Sequence, residues 1–160
     1  MIDVEIKMGD LLKKLELLPE KIQKRVLNGA VRASAKPIIQ DAKARVHNVS
    51  GVLAKSIGVN KRRSKNKNVV IYTISPRVKR YTKNKPTGLK RGSEEYKKAY
   101  GAYYGMWVEL GHVIRNKKGK EIGHVPPHPF LRPAFEAKGK ESIKAFKEYL
   151  AKRLEKELSK

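Results

Sequence analysis

Apolar residues recur along this chain at two different periods, and the switch between them sets the expected architecture. Leu11, Leu12, Leu15 and Leu18 lie three and four residues apart. Ile22, Val26, Ala30, Ala33, Ile38, Ile39, Ala42 and Val46 continue that spacing after Pro19-Glu20. A period near 3.6 collects these side chains on one face of a long helix. Pro19 suits the first turn, where a missing N–H costs nothing. Pro37 lies well inside and is expected to kink or divide the helix, because it removes one backbone hydrogen bond and crowds the preceding turn. Ahead of the helix, Val4, Ile6 and Met8 alternate with Asp3, Glu5 and Lys7, a short strand pattern that Gly9 ends. Asn48 and Gly51 mark the helix exit.

Beyond Gly51 the texture becomes that of strands. Leu53 to Asn60 and Val69 to Ser75 are rich in β-branched and aromatic residues and flank a polar run at 61–68, which predicts a hairpin with a long basic tip. Pro76 stops the second strand. Residues 77–99 have scarcely any apolar pattern and read as a long mobile loop with one helical turn near Glu94–Ala99. Tyr100 to Leu110 fits a short helix and a strand equally well. Val113-Ile114 and Ile122 to Val125 flank Asn116-Lys117-Lys118-Gly119, a second hairpin signal. From Arg132 onward, Ala134, Phe135, Ile143, Phe146, Leu150, Leu154 and Leu158 recur at helical steps, with Gly139 a candidate interruption. The expected fold is α+β: a long kinked N-terminal helix and a C-terminal helix packed on a small antiparallel sheet, with long basic loops. At 160 residues the chain reads as one domain over 1–160, with 61–68 and 77–99 as basic mobile loops.

Charge changes this picture more than composition does. The formal net charge is +23, and residues 51–100 alone hold 15 basic and 2 acidic side chains. Such a field attracts polyanions and acidic protein surfaces and repels copies of itself. No run approaches the roughly 18 apolar residues of a membrane span. The N-terminal segment has acidic residues and no apolar stretch, so it does not read as a signal peptide, and folding in a cytoplasm is expected. With no Cys there is neither a disulfide framework nor a thiolate metal site.

Candidate chemistry is sparse. His124 and His128 have a four-residue spacing, but Pro126 and Pro127 between them forbid the helix that would give it meaning, and Glu109 and His112 add no ligand pattern. There is no nucleophile elbow, phosphate-binding glycine loop or paired-carboxylate pattern, so neither an enzyme nor a cofactor is expected. The basic side chains Lys61, Arg62, Arg63, Lys65 and Lys67, with Arg77, Lys79, Arg80, Lys83, Lys85, Lys90 and Arg91, are candidates to contact DNA phosphates or an acidic partner. Tyr81, Tyr96 and Tyr100 are interleaved with them and are suited to stacking on bases. The plainer alternative is two solvated loops that order only in an assembly. Base-specific reading is not expected, since no recognition-helix motif occurs. Lys and Glu are interspersed along the C-terminal helix, which suits an ordinary core-packing helix better than one lying on a membrane.

The most concentrated signal is a pair of segments. Tyr103 to His112 (YYGMWVELGH) contains the only Trp, and Val125 to Phe135 (VPPHPFLRPAF) contains four of the eight Pro and two of the three Phe. Tyr103, Tyr104 and Trp107 read as core aromatics, and Phe130, Leu131 and Phe135 as anchors of the last helix. Pro126-Pro127-His128-Pro129 reads as a stiff arm that launches that helix at a set angle.

Three stretches together resemble the tail-completion (neck) proteins of long-tailed, lambdoid-type bacteriophages. They are Ser50-Gly51-Val52-Leu53-Ala54-Lys55-Ser56-Ile57, then Tyr104-Gly105-Met106-Trp107-Val108-Glu109-Leu110-Gly111-His112, then Pro126 to Phe135. Their order and the helix–strands–helix frame extend the likeness over most of residues 5–155, and the basic residues 77–98 stand as a long insertion. The resemblance implies a structural virion protein at the head–tail junction, assembled in the host cytoplasm. It implies a ring of six copies meeting a head-side connector or stopper protein and a tail terminator or tail-tube protein, with genomic DNA in the channel and no membrane. Tyr104, Trp107, Glu109, Gly111, His112, Pro127, Pro129, Phe130, Leu131, Arg132 and Pro133 would then shape the loops that meet neighbouring subunits, with Trp107 and Phe130 fixing those loops to the core. The competing class is a free nucleic-acid-binding module that grips DNA backbone non-specifically.

Overall fold

A computed structural model describes residues 8–46, 51–66, 69–77, 88, 93, 95, 102 and 104–159. Helix α1 (Met8–Glu16) and helix α2 (Glu20–Arg45) are separated by a turn in which Leu18 N–H bonds Leu15 O. Pro19 takes the N-cap position of α2, one residue ahead of the expected place. A short helix α3 (Val52–Ser56) leads into strand β1 (Ile57–Arg62), which pairs antiparallel with β2 (Ile71–Pro76). Helix α4 (Gly105–Leu110) precedes a second antiparallel pair, β3 (His112–Arg115) and β4 (Glu121–Val125), and helix α5 (Leu131–Leu158) closes the order.

The architecture is α+β as the periodicities predict, with α2 and α5 supplying the main packing. Two buried clusters show how they lie. Leu11, Leu15 and Leu18 join Val26 and Ala30 near the start of α2 to Leu150 and Leu154 near the end of α5. Ile38, Ala42 and Val46 near the end of α2 meet Leu53, Ile57, Ala102, Phe130 and Ala134. The two long helices therefore run antiparallel, and the small hairpin β1–β2 packs beside the second cluster.

Several expectations need correction. Pro37 does not divide α2, which runs unbroken through it, because α5 packs along its whole length. Gly139 does not interrupt α5 for the same reason. Leu53 to Ser56 are helical instead of extended; Gly51, at φ 68°, turns the chain into α3 before the strand begins. Lys61 and Arg62 belong to β1 and β2 begins only at Ile71, so the connection between the strands is shifted by two residues from the expected 61–68 and is no shorter. Met8, expected in a strand, opens α1, while residues 1–7 lie outside those described. In place of the expected single sheet, the described strands form two separate two-stranded sheets. Most of the 77–99 loop, with Lys79, Arg80, Tyr81, Lys83, Lys85, Lys90, Arg91 and Tyr96, also lies outside the described residues, as do Lys67, Tyr100 and Tyr103.

Candidate assembly site

Helix α4 has only six residues, too few to be stable by itself, so its neighbours must hold it. Gly105 is buried, and a Cβ there would come within 2.5 Å of Pro76 Cγ and 2.9 Å of Leu53 Cδ1. Only Gly lets the helix start this close to β2 and α3. One turn on, Val108 packs partly buried against the cluster around Phe130. Its carbonyl accepts the N–H of His128 at 2.8 Å, which ties the proline arm to α4.

Glu109 makes the decisive contact. Its Oε2 accepts the backbone N–H groups of Phe130 (2.8 Å) and Leu131 (2.9 Å), and its Oε1 accepts that of Arg132 (3.0 Å). These are among the donors that a helix N-terminus leaves without intrahelical partners. The N-cap residue of α5 is Phe130, whose side chain has no acceptor, so a carboxylate 21 residues earlier performs the cap. Negative charge at this end also complements the helix dipole. Pro133 sits in the first turn of α5, where its missing N–H is no loss. Phe130 itself is only 1% exposed and fills the cluster beneath.

Gly111 turns the chain from α4 into β3 at φ 70°, ψ 173°, a region essentially reserved for Gly. A Cβ there would lie 2.7 Å from Val125 O and 2.9 Å from Pro127 N, so backbone closes on backbone at this point. The result is a clamp: α4, the β3–β4 hairpin and the proline arm converge on the start of α5.

The face of α4 turned away from the clamp is apolar and open. Met106 is 66% exposed, Trp107 49% and Leu110 69%. Trp107 is thus not the core aromatic that the sequence suggests, although its ring lies 5.8 Å from that of His112. Phe135, expected to anchor α5, is 64% exposed. Val113, Ile114 and Ile122 of the hairpin are exposed as well, and as neighbours in β3 Val113 and Ile114 lie on opposite faces of it. Among the described residues, neither β3 nor β4 contributes to the two buried clusters, and the hairpin pairs with no other strand. Its tip is nonetheless ordered: Asn116 Oδ1 accepts the N–H groups of Lys118 (2.9 Å) and Lys120 (3.0 Å).

The predicted interface residues therefore divide. Tyr104, Glu109, Gly111, Phe130 and Leu131 hold the clamp from within, and Trp107, Pro127, Pro129 and Arg132 are exposed on or beside it. His112 is half-buried, and its Nδ1 has no hydrogen-bond partner among the described residues. Among the basic candidates, Lys61, Arg62, Arg63, Lys65 and Arg77 are exposed, and Arg77 also folds back across β1, where Nη2 donates to Val59 O at 3.3 Å. Sequence reasoning missed Met106, Leu110 and Ile122 as surface residues. Among the described residues no cluster of three or more His, Cys, Asp or Glu is placed to hold a metal, and no helix is long and apolar enough to cross a membrane.

An α+β frame that spends its most specific residues on bracing one exposed face describes a structural building block. The family model described as Bacteriophage HK97-gp10, putative tail-component, matches residues 9–111, and the chain belongs to that family. It is a structural tail component of the phage virion, which assembles with other phage proteins. The match runs from α1 to Gly111, so the hairpin β3–β4 and helix α5 lie beyond it. No curated protein and no solved structure matches the chain.

Proposed function

We propose that this protein completes the tail at the end facing the head, as a ring of identical subunits, six in the resembling phage proteins, that seats the tail on the DNA-filled head. The observation that supports it is the open apolar face of Met106, Trp107 and Leu110, next in the chain to a hairpin that packs into neither core cluster. In a chain of net charge +23, an apolar surface braced from behind by a carboxylate cap is suited to burial against a neighbour. Rigid bracing reduces what must be ordered when the contact forms. The basic side chains at the β1–β2 tip and in 77–99 then face DNA or an acidic neighbouring ring, which offsets the repulsion among like-charged subunits.

The double variant Met106→Ser/Leu110→Ser tests this reading. Both side chains are exposed, so its unfolding midpoint should match that of the parent chain. Its incorporation into particles should fall by about tenfold or more, since two interface anchors together exceed about 1.4 kcal/mol. Normal incorporation would overturn the proposal. The competing reading, a free module bound to DNA backbone, predicts no incorporation of either chain.

A further inference from the structure

The tip of the β1–β2 hairpin and the first turns of α2 border an open groove of about 270 Å³. Lys24 and Asn28 line it from α2, and Lys61, Arg62, Arg63 and Ser64 line it from the hairpin. Its two walls come from distant parts of the chain, yet they are tied: Tyr72 O–H donates to Asn28 Oδ1 at 2.9 Å, and Asn28 Nδ2 donates to the Lys24 carbonyl. Four cationic residues thus line one concavity, beside the hydroxyl of Ser64. The acidic side chain near them, Glu20, is already paired with Lys24, which holds its carboxyl below the ordinary range through a hydrogen bond first and charge attraction second.

We propose that this pocket is a phosphate-binding site that grips the sugar–phosphate backbone of nucleic acid. Arginine guanidinium groups present paired donors that match phosphate oxygens two at a time. With Glu20 committed to Lys24, three cations remain to be neutralised. One acidic side chain of a protein partner neutralises one of them, whereas a nucleic-acid strand brings a charge with every nucleotide. Nothing in the pocket reads base edges, so the grip is indifferent to sequence. The inference rests on the neck reading only in that DNA passing through a head–tail junction supplies the ligand.

The full chain should be titrated with a short duplex DNA between about 50 and 200 mM salt. Four chains are compared: the parent, Arg62→Gln/Arg63→Gln, Lys24→Gln, and the charge-matched control Lys117→Gln/Lys118→Gln at the other hairpin tip. The pocket variant should bind about tenfold more weakly than the parent, and its log–log salt slope should be shallower by about two, near 0.9 for each lost phosphate contact. The control should stay within about threefold of the parent, because distant exposed charges are screened. Lys24→Gln should also weaken binding, on a different element, with an unchanged unfolding midpoint. Equal losses in the pocket variant and the control would overturn the site in favour of diffuse attraction. Tighter binding of polyglutamate than of DNA would overturn it in favour of an acidic protein, and so would no binding of DNA by the parent. Incorporation into particles separates this proposal from the neck reading: a parent that incorporates but does not bind DNA defeats the pocket alone, and a parent that binds DNA through the pocket but never incorporates defeats the neck reading alone.

Discussion

Glu109 shows how a single side chain organises the site. A carboxylate accepting three N–H groups at 2.8–3.0 Å stands in for the cap that Phe130 cannot supply. Truncation to Ala strands donors at a partly buried helix end, and Glu109→Ala should cost about 2–3 kcal/mol in urea unfolding. Glu109→Gln retains one carbonyl acceptor but loses the charge and half the acceptors, and should cost about 1 kcal/mol. Equal stability of all three chains would show that the bonds are not held in solution. Gly111 belongs to the same scale, because its φ of 70° and the nearness of Val125 O leave no room for any side chain. The sequence singled out both residues by their place in a dense word, and it assigned them to contacts between subunits. Their partners are backbone groups of their own chain, and backbone groups leave no mark in a sequence.

At the scale of elements, periodicity located the two long helices and both hairpins, because their apolar positions are numerous and regular. It failed where packing overrides a local rule. Pro37 leaves the Ala33 carbonyl without its usual donor, yet α2 continues because Ile38 and Ala42 beyond it are held in the core. Pro37→Ala restores that hydrogen bond, and it should stabilise the chain by about 1–2 kcal/mol, read as a higher urea midpoint. A loss of stability instead would mean that the ring's packing beside Ala145 and Tyr149 outweighs the backbone bond. The fate of Leu53 to Ser56 was hidden for a similar reason, since a five-residue helix is too short to show a period. The apolar face of α4 was hidden more deeply. Trp107 reads as core in any sequence, and only the folded chain shows that Gly105, Val108 and Glu109 take the inward positions.

For the molecule as a whole, charge and exposed apolar surface are complementary facts. A chain at +23 repels its copies, so the proposed ring would draw its attraction from burial of side chains such as Met106 and Leu110, and from anions that quench the excess. The family match establishes a phage tail component. Amide hydrogen exchange of the free chain, set against the same chain within assembled particles, reads out the burial of this face directly. If the α4–hairpin face is buried in the assembly, amides across residues 105–125 should exchange at least about tenfold more slowly in particles, while those of the α2–α5 core change little. Unchanged exchange over 105–125 in particles that contain the chain would contradict the account.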